Sequence, residues 1–160
     1  MVHHQPREEL HTADRGKMMA DIKVALAGYV AEKVKFAVTS SGVASDFEKA
    51  TRIAHDMVWR LGMGTDGFIG DFSVLPQHEL SEDIKNQLNR QTQEILRACM
   101  AEVESTLRKE WDILELFVEE LLKKDELEYD EIDLIFKDHG KARMFTGAEL
   151  APQSAGPAQV

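Results

Sequence analysis

This 160-residue sequence has a single cysteine, no long apolar run and no excess of positive charge. Its single cysteine, Cys99, excludes an internal disulfide and is typical of a reducing compartment. No apolar run approaches the roughly 18 residues that a membrane-spanning helix needs. The N-terminus MVHHQPREEL lacks the apolar segment of a signal peptide. The formal net charge of −10 disfavours binding to nucleic acid or to an anionic membrane. We therefore expect a soluble, cytoplasmic chain with no membrane contact of its own.

Two motifs of catalytic chemistry are also absent from the sequence. H-E-x-x-H, which places two zinc ligands and a general base on one helical face, does not occur. The closest stretch, His78 to Glu82, ends in a glutamate and is interpreted as the polar end of a loop. G-x-x-x-x-G-K-[ST], the loop that binds the phosphates of ATP, is missing as well. The sequence alone therefore contains neither a complete metallopeptidase site nor a nucleotide site.

Apolar residues recur at three- and four-residue intervals through most of the chain, which is typical of amphipathic helices. This periodicity predicts an all-α fold, a bundle of four to five helices around one apolar core. The helical part spans residues 12–137, between a polar lead-in at 1–11 and a disordered tail at 138–160. The helices are predicted from Thr12 to about Phe36, from Ser45 to the residue before Gly62, from Ser81 with a break near Arg108 to Glu110, and from Tyr129 to Lys137.

Smaller features complete this prediction. A short extended piece is expected from Phe68 to Leu75 in a glycine-containing loop. Gly28 falls inside the first helix, where glycine is costly, so a packing reason is expected there. Cys99 lies on an apolar helical face and is interpreted as a core residue rather than a nucleophile.

The stretch from Val38 to Met63 contains the clearest local signal. Ser45 is followed three residues later by Glu48, and this spacing predicts a capping box at the start of a helix. Asp46 would then occupy the first helical position, where the helix dipole favours a negative charge. Gly62 follows the last apolar residue and is expected to end the helix in the left-handed conformation.

The same stretch resembles the FtsH-type ATP-dependent zinc metalloproteases, in the later half of their peptidase domain. The segment Ser45 to Ala54, SDFEKATRIA, matches the family pattern Asn-Asp-Leu/Ile-Glu-x-Ala-Thr-x-Ile-Ala, with Ser45 in place of asparagine. Gly62-Met63 stands where the family has Gly-Met. The run Val24 to Glu32 resembles Leu-Gly-Gly-Arg-Ala-Ala-Glu, and Leu121 to Leu127 resembles Leu-Leu-Glu-Lys-Glu-Thr-Leu. The resemblance covers about residues 15–137, with Tyr29 and Ala37 departing from the family's arginine and glycine.

The resemblance implies a metal site and a substrate groove. Asp46 matches the third zinc ligand of the family, whose other two ligands are the histidines of H-E-x-x-H. The loop before it would line the substrate groove; its residues are Thr39, Ser40, Ser41, Gly42, Val43 and Ala44. Zinc would be bound only in a complete peptidase domain, and ATP on an upstream domain. Because this chain carries one ligand, we expect it to be inactive alone.

The resemblance also implies partners. These are protein substrates, the upstream peptidase and AAA+ ATPase parts, and other copies in a hexamer. The complete family protein is anchored in a membrane by segments ahead of its ATPase domain.

Non-catalytic interpretations of these residues and of the chain remain open at this point. By spacing alone, Asp46 is an ordinary carboxylate in the first turn of a helix. His3, His4 and His11 are interpreted as part of the polar lead-in rather than as a metal site. The alternative function is a non-catalytic, all-helical interaction or assembly module derived from the same domain.

Overall fold

The computed structural model describes residues 12–140, which form α-helices joined by loops and two short 3₁₀ helices. The helices are α1 (Arg15–Phe36), α2 (Ala44–Trp59), α3 (Glu82–Lys109), α4 (Trp111–Lys124) and α5 (Tyr129–Asp138). The described residues contain no strand, so the predicted all-α class with four to five helices is confirmed. The extended piece predicted from Phe68 to Leu75 is wrong, because a 3₁₀ turn occupies Phe72–Val74. The lead-in at 1–11 and the tail from 141 onward lie outside the described residues.

The chain divides into two compact units, the first ending at Lys109 and the second beginning at Glu110. This boundary falls inside the range 12–137 that the sequence predicts as one helical part. It coincides with the predicted break between Arg108 and Glu110, where α3 ends and α4 begins one residue later. No helix of the described part is long and apolar enough to span a membrane.

The core of the first unit is formed by the apolar faces of α1, α2 and α3. Burying a large aliphatic side chain stabilises a fold by about 1.5–3 kcal/mol, so these contacts hold the three helices together. The side chains with the least exposure are Ile22 and Leu26 of α1, Ala50, Ala54, Met57 and Val58 of α2, and Leu88 and Cys99 of α3. The sequence predicts one core shared by all helices, whereas the helical residues of the main buried cluster come from α1, α2 and α3.

In the second unit, α4 and α5 pack against each other. The rings of Phe117 and Phe136 meet edge to face, with their centroids 5.4 Å apart. Lys124 pairs with Glu131 across the two helices. Ile113, with 8% of its surface exposed, is the one residue classed as buried in the described part of this unit. Ile132, Ile135 and Phe136 of α5 are partly buried.

Several helix ends follow the sequence closely. α1 ends at Phe36 as predicted, but it begins two residues late. Asp14 is the N-cap instead of Thr12, and its carboxylate accepts a hydrogen bond of 2.7 Å from the amide of Lys17. The Ser81 hydroxyl accepts a bond from the amide of Ile84 at the start of α3. Gly62 has the left-handed φ of 61° expected there, but α2 ends at Trp59, two residues before the predicted end, and its C-cap is Arg60 in the right-handed region.

A loop after α2 depends on a close approach between a glycine and a buried amide. The Oε1 atom of Gln91, which is 1% exposed, accepts hydrogen bonds from the amides of Thr65 at 2.9 Å and Asp66 at 3.4 Å. A Cβ atom on Gly64 would lie 1.8 Å from that oxygen. Any larger residue at Gly64 would therefore displace Gln91 from the loop amides, which ties this loop to α3.

The packing reason expected for Gly28 is wrong. Gly28 is exposed, and a Cβ atom added to it would meet no atom within 4 Å. Within residues 12–140, no close contact compensates its cost to the helix.

We therefore predict that Gly28→Ala stabilises the chain by about 0.5–1 kcal/mol, because alanine loses less backbone freedom in a helix. Chemical denaturation of the two forms measures this difference. Ala101→Gly, at an exposed interior position of α3, is the matched control and should destabilise by a similar amount. A loss of stability in Gly28→Ala would show that the glycine has a structural role.

Candidate functional site

The candidate site is built where α1 ends and α2 begins. Ala37 follows α1 in the left-handed conformation with a φ of 56°, and its amide donates to the carbonyl of Lys33. Alanine is strained there because its Cβ crowds the backbone, and this is the position at which the sequence departs from the glycine of the resembled family. The chain then turns through a loop and one 3₁₀ turn, Ser41–Val43, directly into α2.

Glu32 of α1 holds this loop. Its carboxylate accepts two hydrogen bonds from one residue, at 2.9 Å from the amide of Ser40 and at 3.0 Å from the Ser40 hydroxyl. The Ser40 hydroxyl oxygen in turn accepts a bond of 3.3 Å from the amide of Gly42, at the start of the 3₁₀ turn. Glu32 thus fixes the first half of the loop predicted to line the substrate groove.

The capping box predicted for α2 is wrong. The helix begins at Ala44, its N-cap is Val43, and no side chain caps it. Ser45 is therefore the second residue of the helix and Asp46 the third, rather than the cap and the first. The physical reason is that the 3₁₀ turn runs directly into α2, so the backbone at Val43 is already in the right-handed helical region with φ −78° and ψ −5°. Glu48 pairs with Arg52 one turn along the helix instead of reaching back.

Asp46 remains in the first turn of α2, where a carboxylate is favoured by the helix dipole. Its side chain is exposed, as are those of most loop residues from Thr39 to Ala44, Val43 being half-buried. Within residues 12–140, no group of three or more His, Cys, Asp or Glu side chains is placed to hold a metal ion. The described structure therefore brings the predicted ligand and the predicted loop together, and adds no second ligand to Asp46.

Cys99 and His55 both lie in structural rather than chemical surroundings. Cys99 has no exposed surface, and burial raises the pKa of its thiol, so its interpretation as a core residue is supported. His55 stacks on the ring of Trp59 with centroids 4.9 Å apart. It lies nine residues beyond Asp46, about 13 Å along the helix, which is too far for the two to share one ion. His3, His4 and His11 lie outside the described residues.

Glu32 is the residue to which sequence reasoning assigned no role. It belongs to the run Val24 to Glu32 that resembles the family, but a helical glutamate usually faces solvent. The usable signal was its place one turn before the end of α1, followed by a loop with two serines whose amides and hydroxyls need acceptors. The sequence pattern alone does not say which of the nearby carboxylates accepts these hydrogen bonds.

Comparison with known proteins decides the relationship. The model of peptidase family M41 matches residues 1–135. The chain belongs to peptidase family M41. The resemblance found in the sequence is thereby confirmed, and the M41 match includes both the loop and Asp46.

Relatives of this M41 chain are named ATP-dependent zinc metalloprotease FtsH. The protein of Caldicellulosiruptor bescii is 32% identical over 83% of this chain and 24% of its own length. That of Thermotoga maritima is 29% identical over 84% of this chain and 24% of its own length. That of Bacillus subtilis is 30% identical, with 84% and 23% covered. The chain thus spans about a quarter of the length of these relatives and is similar to an FtsH-like protease over that part.

The start of α2 yields a stability prediction. Ser45→Ala should change the free energy of unfolding by no more than about 0.5 kcal/mol, because the Ser45 side chain does not cap the helix. Asp14→Ala, which removes the cap of α1, should cost about 0.5–2 kcal/mol under the same denaturation assay. A loss of stability as large in Ser45→Ala would indicate that the Ser45 side chain does cap α2.

The hydrogen bonds from Ser40 to Glu32 lead to a prediction about hydrogen exchange in the loop. Glu32→Ala should raise the hydrogen-exchange rate of the Ser40 amide by roughly tenfold, the factor given by about 1.4 kcal/mol of local opening free energy. Glu48→Ala, which removes an exposed carboxylate of α2 that pairs with Arg52 of the same helix, is the control and should leave the Ser40 amide unchanged. Equal exchange in the Glu32→Ala and unmodified chains would contradict the described contact.

Proposed function

We propose that this M41 chain is the part of an ATP-dependent zinc metalloendopeptidase that carries the third zinc ligand, Asp46. The family match and the names of the relatives support a zinc-dependent protein-degrading role. The observation that carries the assignment is the family match across Asp46, and its exposure in the first turn of α2, directly after a loop held by Glu32, is compatible with a ligand role. In this proposal the loop residues Thr39 to Ala44 line the substrate groove.

The donor chemistry of Asp46 fits zinc, which accepts carboxylate oxygen, but one carboxylate is not a site. A catalytic zinc has three protein ligands and an open position, and the described residues supply no further cluster. The two histidines and the glutamate of H-E-x-x-H would come from an upstream peptidase part. When bound in that complete domain, zinc polarises the peptide carbonyl and lowers the pKa of a bound water.

The wider assembly follows from the same proposal. ATP would be bound on an upstream AAA+ domain, protein substrates would reach the groove from it, and the assembly would be the hexamer typical of the family. The chain would work on the cytoplasmic side of that membrane-anchored assembly. If the chain does not work with such parts, the alternative is a non-catalytic all-helical assembly module.

We predict that the isolated chain binds no catalytic zinc and cleaves no protein. Metal analysis of the purified chain and a casein-cleavage assay with and without chelator measure both properties. Stoichiometric tight zinc together with chelator-sensitive cleavage by this chain alone would contradict the proposal.

The ligand role of Asp46 is tested by joining the chain to an M41 part that carries H-E-x-x-H. Zinc binding should appear, and Asp46→Asn should weaken it by about 10–100-fold or more, the loss that even an outer-shell change causes. Asp83→Asn is the matched control, because Asp83 is also a carboxylate in the first turn of its helix, α3. Equal zinc affinity in the two variants would remove Asp46 from the site.

A further inference from the structure

The helix α4 has more apolar surface than its described partner covers. Eight of its fourteen residues are apolar. One side, which includes Ile113 and Phe117, packs toward α5 or is buried. Another side carries Val118, Leu121 and Leu122, with 49%, 39% and 81% of their surfaces exposed. We call these three residues the outer stripe; a helix that is apolar on both sides is normally covered on both.

The outer stripe lies in the unit that begins at Glu110, of which the structure describes residues 110–140. Ile113 is the one buried residue among those described. Covering the outer stripe would add apolar burial to this part of the chain.

Charge restricts what can cover the stripe. Residues 110–140 contain twelve acidic and three basic residues, a net charge of −9 in a chain whose total is −10. Two of the three basic residues, Lys123 and Lys124, are already paired with Glu120 and Glu131 inside the unit. A second copy of this surface would bring −9 against −9, and an anionic membrane would repel it too.

Two acidic residues stand next to the stripe itself. Glu115 lies three residues before Val118, and Glu119 lies three residues before Leu122, so each is a neighbour of the stripe on the helix surface. The Glu115 carboxylate accepts a bond of 3.0 Å from the indole nitrogen of Trp111, which holds it at this position. An apolar stripe with an acidic edge is complementary to a helix that has the same stripe with a basic edge.

We propose that the outer stripe of α4 is a docking surface for a basic amphipathic helix of a partner protein. The stripe covers little more than one helical turn, so the interface is small and the binding weak. Attraction between the acidic edge and the basic helix provides orientation and a dependence on salt. The proposal does not depend on zinc or on Asp46.

The test uses the purified chain and a labelled synthetic peptide of roughly five helical turns, about 18 residues, with leucines three and four residues apart and lysines at the edges. Fluorescence anisotropy should show binding that weakens as salt is added. Two comparison peptides are required: one with glutamates in place of the lysines, and one with the same composition but a scrambled order. Both should bind at least about tenfold more weakly.

Variants then locate the binding site. Leu122→Ser should weaken binding of the basic peptide by at least about tenfold, whereas Val24→Ser, at a similarly exposed apolar residue of α1, should leave it unchanged. Glu119→Lys, which keeps the stripe, should weaken the basic peptide and strengthen the acidic one. Circular dichroism confirms that each variant keeps its helix content.

Several results would overturn the proposal: absence of binding, equal binding of the scrambled or acidic peptide, or unchanged binding by both Leu122→Ser and Glu119→Lys. Self-association of the unmodified chain that is abolished by Leu122→Ser would also overturn it, since a second copy would then cover the stripe.

Discussion

The packing of α1 against both α2 and α3 is the constraint on which the first unit depends. Ile22 and Leu26 of α1 share one cluster with Met57 of α2 and Leu88 of α3, and each of these side chains is almost fully buried. Because α1 and α2 are fixed side by side, the connection between them must turn within seven residues, from Ala37 to Val43. That short connection brings Ser40 within reach of Glu32, one turn before the end of α1.

The candidate site is a consequence of this geometry. The loop is anchored by a carboxylate on a rigid helix rather than by the side chain at the start of α2. The strained Ala37 lies between Glu32 and Ser40, so the two hydrogen bonds accepted by Glu32 act against the tendency of that turn to open. Asp46 then follows the 3₁₀ turn by three residues, on a helix whose buried face is held in the core. A side chain placed on a helix end in this way is more precisely positioned than one on a free loop.

Periodicity was sufficient for the helices, since an apolar face recurs in each of α1 to α3 and in the pair α4 and α5. It located the end of α1 at Phe36. It also located the break after α3, because an apolar pattern that shifts its phase cannot continue as one buried face. It did not locate the start of α2. Ser45 and Glu48 have the spacing of a capping box, but the preceding 3₁₀ turn supplies a helical backbone before either is reached.

The same limit applies to contacts between elements. The open surroundings of Gly28 and the close approach of Gly64 to Gln91 are opposite situations for the same residue type, and only the packed helices distinguish them. Asp46 was found through resemblance to a family motif, not through spacing, because a carboxylate in a first helical turn is common. Glu32 was missed because its partners are eight residues away, across a turn whose path the sequence pattern does not specify.

The central claim is that Asp46 becomes a zinc ligand in the complete peptidase domain. Zinc-edge anomalous diffraction from crystals of the chain joined to its H-E-x-x-H part tests this most directly. The account predicts a carboxylate oxygen of Asp46 at about 2.0–2.2 Å from the zinc peak, alongside two histidine nitrogens. A zinc peak held by the histidines with the Asp46 carboxylate well outside that bonding distance would contradict it.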